Sequence, residues 1–141
     1  MKKTGSAEWK GGLKDGTGSI STQTGVLRNA PYGFKSRFED GPGTNPEELI
    51  AAAHAACFSM ALSLMLGNNN LTADYIRTTA EVSLEKVGDG FSITASNLVL
   101  HAKIPGADAA TFERIANEAK AGCPVSKVLN AKITMQATLD A

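Results

Sequence analysis

The chain holds few of the residue types that carry chemistry in small proteins. Its 141 residues include two cysteines, Cys57 and Cys123, two histidines, His54 and His101, and a single tryptophan. There is no C-x-x-C pair, which argues against a thioredoxin-type thiol–disulfide oxidoreductase, and no H-x-x-x-H or paired-cysteine knuckle of the zinc kind. Net charge is also lacking: 14 basic side chains balance 14 acidic ones. That balance gives no electrostatic ground for a nucleic acid or an anionic membrane as partner, and little protection against self-association. Lys2 and Lys3 are not followed by an apolar h-region, so a signal peptide is not expected. The expected compartment is the cytoplasm, where a reducing environment favours catalytic or redox cysteines over structural staples. No internal repeat, low-complexity tract or linker breaks the chain, and a single domain over residues 1–141 is expected.

Only one apolar run is long, "EELIAAAHAACFSMALSLML" from Glu47 to Leu66. A membrane span needs about 20 apolar residues, but this run is mostly alanine, carries His54, Ser59 and Ser63, and has no flanking aromatics. A helix buried in a soluble fold is the expectation. Thr44 or Asn45 can cap it, Pro46 suits its first position, and Glu47 and Glu48 suit the positive end of its dipole. Gly67 and three asparagines should end it. Because the helix is apolar on nearly every face, a single small subunit covers it poorly, and a partner chain is the simplest cover.

Around this helix the pattern reads as strands and shorter helices. Residues 5–39 alternate β-prone runs ("GSISTQT", "PYGFKSRFE") with glycine turns, giving two or three antiparallel strands. Period-two alternation in "AEVSLEKV" and "FSITASNLVLHAKI" predicts a hairpin turning at "GDG". "DAATFERIANEAKAG" predicts a helix capped by Asp108, with Phe112, Ile115 and Ala119 inward and Gly122 at its end. "CPVSKVLN" predicts a further helical turn, and "KITMQATL" a closing strand. Helices and strands do not alternate regularly, so the fold class is α+β.

The two cysteines admit three readings: buried filler, ligands of a metal shared with His54 and His101, or a redox pair. Reactivity needs thiolate. On local grounds Cys123 is the better thiolate, since it precedes a helix start at Pro124, whereas burial among alanines raises the pKa of Cys57. A cation at Cys57 would have to come from one of four arginines, Arg28, Arg37, Arg77 or Arg114. In a strand, Arg37 would share a solvated face with Lys35 and Glu39. Ten residues separate Glu47 from Cys57, about 15 Å of helix, so a site uniting them needs a broken helix or the glutamate of a second chain.

Taken together, "PYGFKSRFE", "GTNPEELIAAAHAACFSMALSLML" and "KAGCPVSKVL" resemble the OsmC/Ohr family over nearly the whole chain. The absence of any arginine before Arg28 fits the OsmC branch, the osmotically inducible peroxidases, better than the Ohr branch. The resemblance implies antiparallel sheets wrapped around long central helices in an intertwined homodimer. It implies a thiol peroxidase that reduces organic hydroperoxides, and hydrogen peroxide less well, without metal or organic cofactor. Cys57 would be the peroxidatic cysteine, Cys123 the resolving cysteine that forms a disulfide with it, Arg37 the stabiliser of the thiolate, and Glu47 the acid that orients Arg37. An external dithiol, for example on a lipoyl-bearing protein, would restore both thiols. Phe34, Phe58, Met60 and Met65 are candidates for an apolar wall, with core packing the competing role for each. A non-enzymatic dimer binding a hydrophobic ligand is the competing expectation.

Overall fold

Glycine and proline divide the first third of the chain into a short meander. In the computed structural model, which describes all 141 residues, β1 (Gly5–Lys10), β2 (Thr17–Thr22) and β3 (Ala30–Tyr32) pair antiparallel in the order β1-β2-β3. Gly18 sits where a side chain has no room: a Cβ there would come within 2.5 Å of the Tyr32 ring and 2.6 Å of the Trp9 ring. Those two rings pack at 5.5 Å between centroids, inside the range in which aromatic pairs attract.

After β3 the chain departs from the strand expected through "PYGFKSRFE". Phe34–Phe38 form a short helix, α1. Extended Gly33 precedes it, and the Ser36 hydroxyl both accepts from Gly33 N (2.9 Å) and donates to Gly33 O (3.0 Å). Serine's ability to satisfy backbone groups at a helix start explains why alternation fails here. Asn45 then donates to the Ser36 carbonyl at 3.0 Å. Lys35, Arg37 and Glu39 therefore do not form the common strand face that alternation suggested.

Helix α2 spans Pro46–Asn68 without interruption. Asn45 Oδ1 accepts from Glu48 N at 2.8 Å, as an N-cap should, with Pro46 at the first position. The helix continues through Gly67, and Asn70 (φ 57°) is the left-handed residue beyond its end. The chain divides into two compact units, Met1–Leu49 and Ile50–Ala141, so only the first turn of α2 belongs to the first.

In the second unit, β4 (Tyr75–Val87) and β5 (Gly90–Lys103) form a long hairpin across Gly88 and Asp89, with Gly88 at φ +60°. Helix α3 (Ala109–Gly122) starts on Asp108, whose carboxylate accepts from Thr111 N at 2.7 Å. Helix α4 (Pro124–Val128) follows at once, and β6 (Lys132–Leu139) closes the sheet. β6 lies parallel to β5, so this sheet is mixed where an all-antiparallel one was expected. The helical connection through α3 and α4 carries the chain back to the starting end of β5, which a tight hairpin cannot do.

Three apolar stripes make the core of this unit. Phe58, Leu62 and Leu66 recur every fourth residue on α2, Leu98, Leu100 and Ala102 every second residue on β5, and Phe112, Ile115, Ala116 and Ala119 mark α3. Each large side chain so buried contributes about 1.5–3 kcal/mol relative to exposure. The other side of α2 is open: Met60 is 76% and Leu64 66% exposed. The stripe of small and apolar residues they share with Ala53, Ala56 and Ser63 is exposed throughout.

Candidate active site

Cys57 projects from α2 within the second unit, and Cys123 is the single residue that both ends α3 and starts α4. Both thiols are free, Cys123 fully buried and Cys57 partly exposed. The two side chains meet. Burial, first, and a hydrogen bond with the Cys123 thiol hold the Cys57 pKa above its ordinary value, while the Val125 N–H, directed at the Cys57 sulfur, pulls it down. The backbone donor at the start of α4 acts on Cys57 across the gap, and solvent reaches Cys57 rather than Cys123. Within residues 50–141 no cationic side chain acts on Cys57.

The first unit holds the other expected pair. Arg37 donates from Nε at 3.1 Å and from Nη2 at 2.8 Å to one oxygen, Glu47 Oε1. Glu47 is buried, and its Oε2 has no hydrogen-bond partner. Arg37 comes from α1 and Glu47 from the first turn of α2, and the Asn45 bond to Ser36 fixes one element on the other. The guanidinium lies 5.4 Å from the centre of the Phe38 ring. It also borders a cavity of ≈ 260 Å³ lined by Trp9, Leu13, Tyr32, Phe34 and Phe38. Phe34 therefore lines an apolar recess beside Arg37. Phe58 is core, Met60 is exposed, and Met65 packs half-buried against the core.

The two histidines have other partners. His54 is fully buried, with Nδ1 2.7 Å from Ser96 Oγ and Nε2 2.7 Å from Ser126 Oγ. Both nitrogens are taken, and desolvation lowers the pKa so that the ring is neutral. His101 is half-exposed and stands 3.7 Å from Asp140. On the sequence alone His54 reads as a polar break in an apolar run or as a metal ligand. Its serine partners lie 42 and 72 residues away in the chain, and no local pattern connects them.

The family model described as "OsmC-like protein" matches residues 39–138. Peroxiredoxin OsmC of Escherichia coli (strain K12) is 58% identical over 135 residues, covering 96% of this chain and 94% of that protein. The organic hydroperoxide resistance protein of Xanthomonas axonopodis pv. citri is 31% identical over 100 residues, covering 70% of this chain and 68% of the other. Among solved structures, the organic hydroperoxide resistance protein OhrB of Bacillus subtilis superposes with a TM-score of 0.74 at 29% identity, covering 96% of this chain and 98% of that one.

Proposed function

The chain belongs to the OsmC-like protein family, and from that premise we propose that it is a cysteine-based peroxidase that reduces organic hydroperoxides and, more weakly, hydrogen peroxide. The observation that carries this reading is the pairing of a partly exposed Cys57 thiol with a buried Cys123 thiol, under the Val125 N–H. A peroxidatic sulfur must be reachable by substrate, and a resolving sulfur must be reachable by the first.

In the proposed cycle the Cys57 thiolate attacks the nearer oxygen of the O–O bond. An S–O bond forms, the O–O bond breaks, and the departing alkoxide takes a proton to leave as alcohol. The Cys123 sulfur then attacks the Cys57 sulfenic acid, forming the disulfide and releasing water. An external dithiol, such as a lipoyl-bearing protein, exchanges with that disulfide and restores both thiols. No metal or organic cofactor enters these steps. The Arg37 guanidinium stabilises the thiolate and the charge developing on the peroxide oxygen, and Glu47 fixes its plane. The recess beside Arg37, walled by Phe34 and its neighbours, suits an alkyl or aryl group.

Burial and Cys123 both disfavour the Cys57 thiolate, so an activating cation is required, and we assign it to a second copy of the chain. Glu47 and Cys57 lie on one unbroken helix, ten residues or about 15 Å apart, which is beyond a glutamate's reach. The exposed Met60–Leu64 face of α2 supplies an apolar surface for that copy. In this reading residues 1–141 act as one OsmC-like domain, the working unit is an intertwined homodimer, and the protein serves oxidative and osmotic stress defence in the cytoplasm. A slight excess of cumene hydroperoxide should consume both thiols of the reduced protein. Cys57→Ser should consume no peroxide, and Cys123→Ser should consume about one equivalent and recycle poorly. An unchanged thiol count in the wild type would favour a non-enzymatic hydrophobic-ligand binder instead.

A further inference from the structure

Two side chains one helical turn apart on α2 reach the same short stretch of chain. Cys57 meets Cys123, and His54, three residues earlier, meets Ser126, three residues after Cys123. The contacts form two rungs between α2 and α4. His54 is tied on its other side to Ser96 of β5. Each of these polar residues extends an apolar stripe: His54 continues Phe58, Leu62 and Leu66, and Ser96 continues Leu98, Leu100 and Ala102. All three are buried, His54 and Ser96 completely.

A leucine at 54 would continue its stripe without having to satisfy two ring nitrogens. A neutral imidazole has one donor and one acceptor nitrogen, and each serine hydroxyl can play either part, so both ring nitrogens of His54 are satisfied. A buried ring held by hydrogen bonds at both nitrogens specifies one arrangement where apolar contacts allow sliding. Disulfide closure demands such precision, since its Cβ atoms must come within about 3.5–4.5 Å of each other.

We propose that His54 is a positioning residue for the resolving step, holding the Cys123–Val128 segment against α2 and β5 so that Cys123 captures the Cys57 sulfenic acid before a second peroxide does. This rests on the peroxidase reading of the two cysteines. The step itself breaks the S–O bond of Cys57–SOH and forms the S–S bond, and the hydroxyl leaves as water with the Cys123 proton. His54 transfers no proton in it.

The test is a competition. Reduced protein receives one equivalent of cumene hydroperoxide in the presence of dimedone, which traps sulfenic acid, and mass spectrometry measures the ratio of Cys57 adduct to Cys57–Cys123 disulfide. That ratio does not depend on how fast the first step runs. Wild type should give mainly disulfide. Ser126→Ala and His54→Gln should each raise the ratio about tenfold, the loss expected when a held group is freed to wander, and Ser126→Thr should restore it. With excess peroxide, sulfinic acid should accumulate in the first two variants. Folded variants that keep the wild-type ratio overturn the proposal. So does a lowered melting temperature with the ratio unmoved, which marks a purely structural role. If the wild type loses no thiol to the peroxide, the peroxidase reading fails instead. The same variants, equilibrated in a glutathione redox buffer, then decide the positioning role. An about tenfold lower effective concentration of Cys123 toward Cys57 supports it, and an unchanged value overturns it.

Discussion

Arg37 gives two of its donors, at 3.1 and 2.8 Å, to a single oxygen of Glu47. This grip fixes the plane of the guanidinium while leaving Nη1 outside the pair. An ammonium has no plane to fix, so lysine cannot reproduce it. For cumene hydroperoxide, Arg37→Met should lower kcat/KM by about 10²–10³, the usual cost of losing a donor that stabilises developing charge. Arg37→Lys should recover only part of that. Glu47→Gln, which keeps the shape and removes the charge, should fall between wild type and Arg37→Met. Steady-state kinetics on the three variants checks the order, and a fully active Arg37→Lys would contradict the fork.

The same arginine should control the pH profile. Burial and the neighbouring Cys123 thiol raise the pKa of Cys57, so without a cation the thiolate is scarce at neutral pH and increases as pH rises through the raised pKa. The second-order rate of the first oxidation in Arg37→Met should therefore keep climbing above pH 8.5, about where a free cysteine is half ionised. In the wild type the rise should reach its plateau at lower pH. Stopped-flow oxidation from pH 5 to 10 on both proteins gives the two midpoints, and coincident midpoints would remove Arg37 from thiolate stabilisation.

Where the sequence could be read, local chemistry was in control. The Asn45–Pro46 start of α2, the Asp108 cap of α3 and the turn at Gly88 each depend on residues within four positions, and each stands where expected. The α1 turn was missed because Ser36 and Asn45 satisfy backbone groups that a strand would have paired, against the alternation of Lys35, Arg37 and Glu39. The parallel pairing of β6 depends on where a 28-residue connection, Ile104 to Ala131, delivers the chain, and alternation within "KITMQATL" carries no information about direction. At the site, the resemblance singles out Cys57 and Cys123, and the fold brings the two side chains together. The Val125 N–H at Cys57 is a tertiary contact that no local pattern shows.

His54 should make the protein sensitive to acid. Its pKa is lowered by burial, so the unfolded chain binds a proton more readily than the folded one. The stability this contributes is fully present above about pH 6.5, the ordinary histidine value, and is lost as pH falls toward the folded pKa, by up to about 1.4 kcal/mol per pH unit. Denaturant melts at pH 7.5, 6 and 5 should show wild type losing stability over that range faster than His54→Gln. Parallel losses in the two proteins would show that other groups govern the acid response.

Assignment of Arg37 to a second copy has a consequence that a site within one chain lacks. Cys57→Ser should be inactive alone, and Arg37→Met should keep only the small residual activity given above. When the two are mixed and allowed to exchange subunits, a heterodimer built in trans pairs the intact Arg37 of one chain with the intact Cys57 of the other. Its second site carries both lesions. Heterodimers make up about half of randomly paired subunits and each holds one working site, so about a quarter of wild-type peroxide turnover should return. A site formed within one chain predicts no recovery at all, because every Cys57 then sits beside a mutated Arg37. Charging the exposed face of α2 with Met60→Glu and Leu64→Glu should oppose dimer formation, reduce the mass measured by light scattering to that of one chain, and abolish the recovery. Recovery that survives in a monomeric double variant would show that the Met60–Leu64 face is not the surface that brings Arg37 to Cys57.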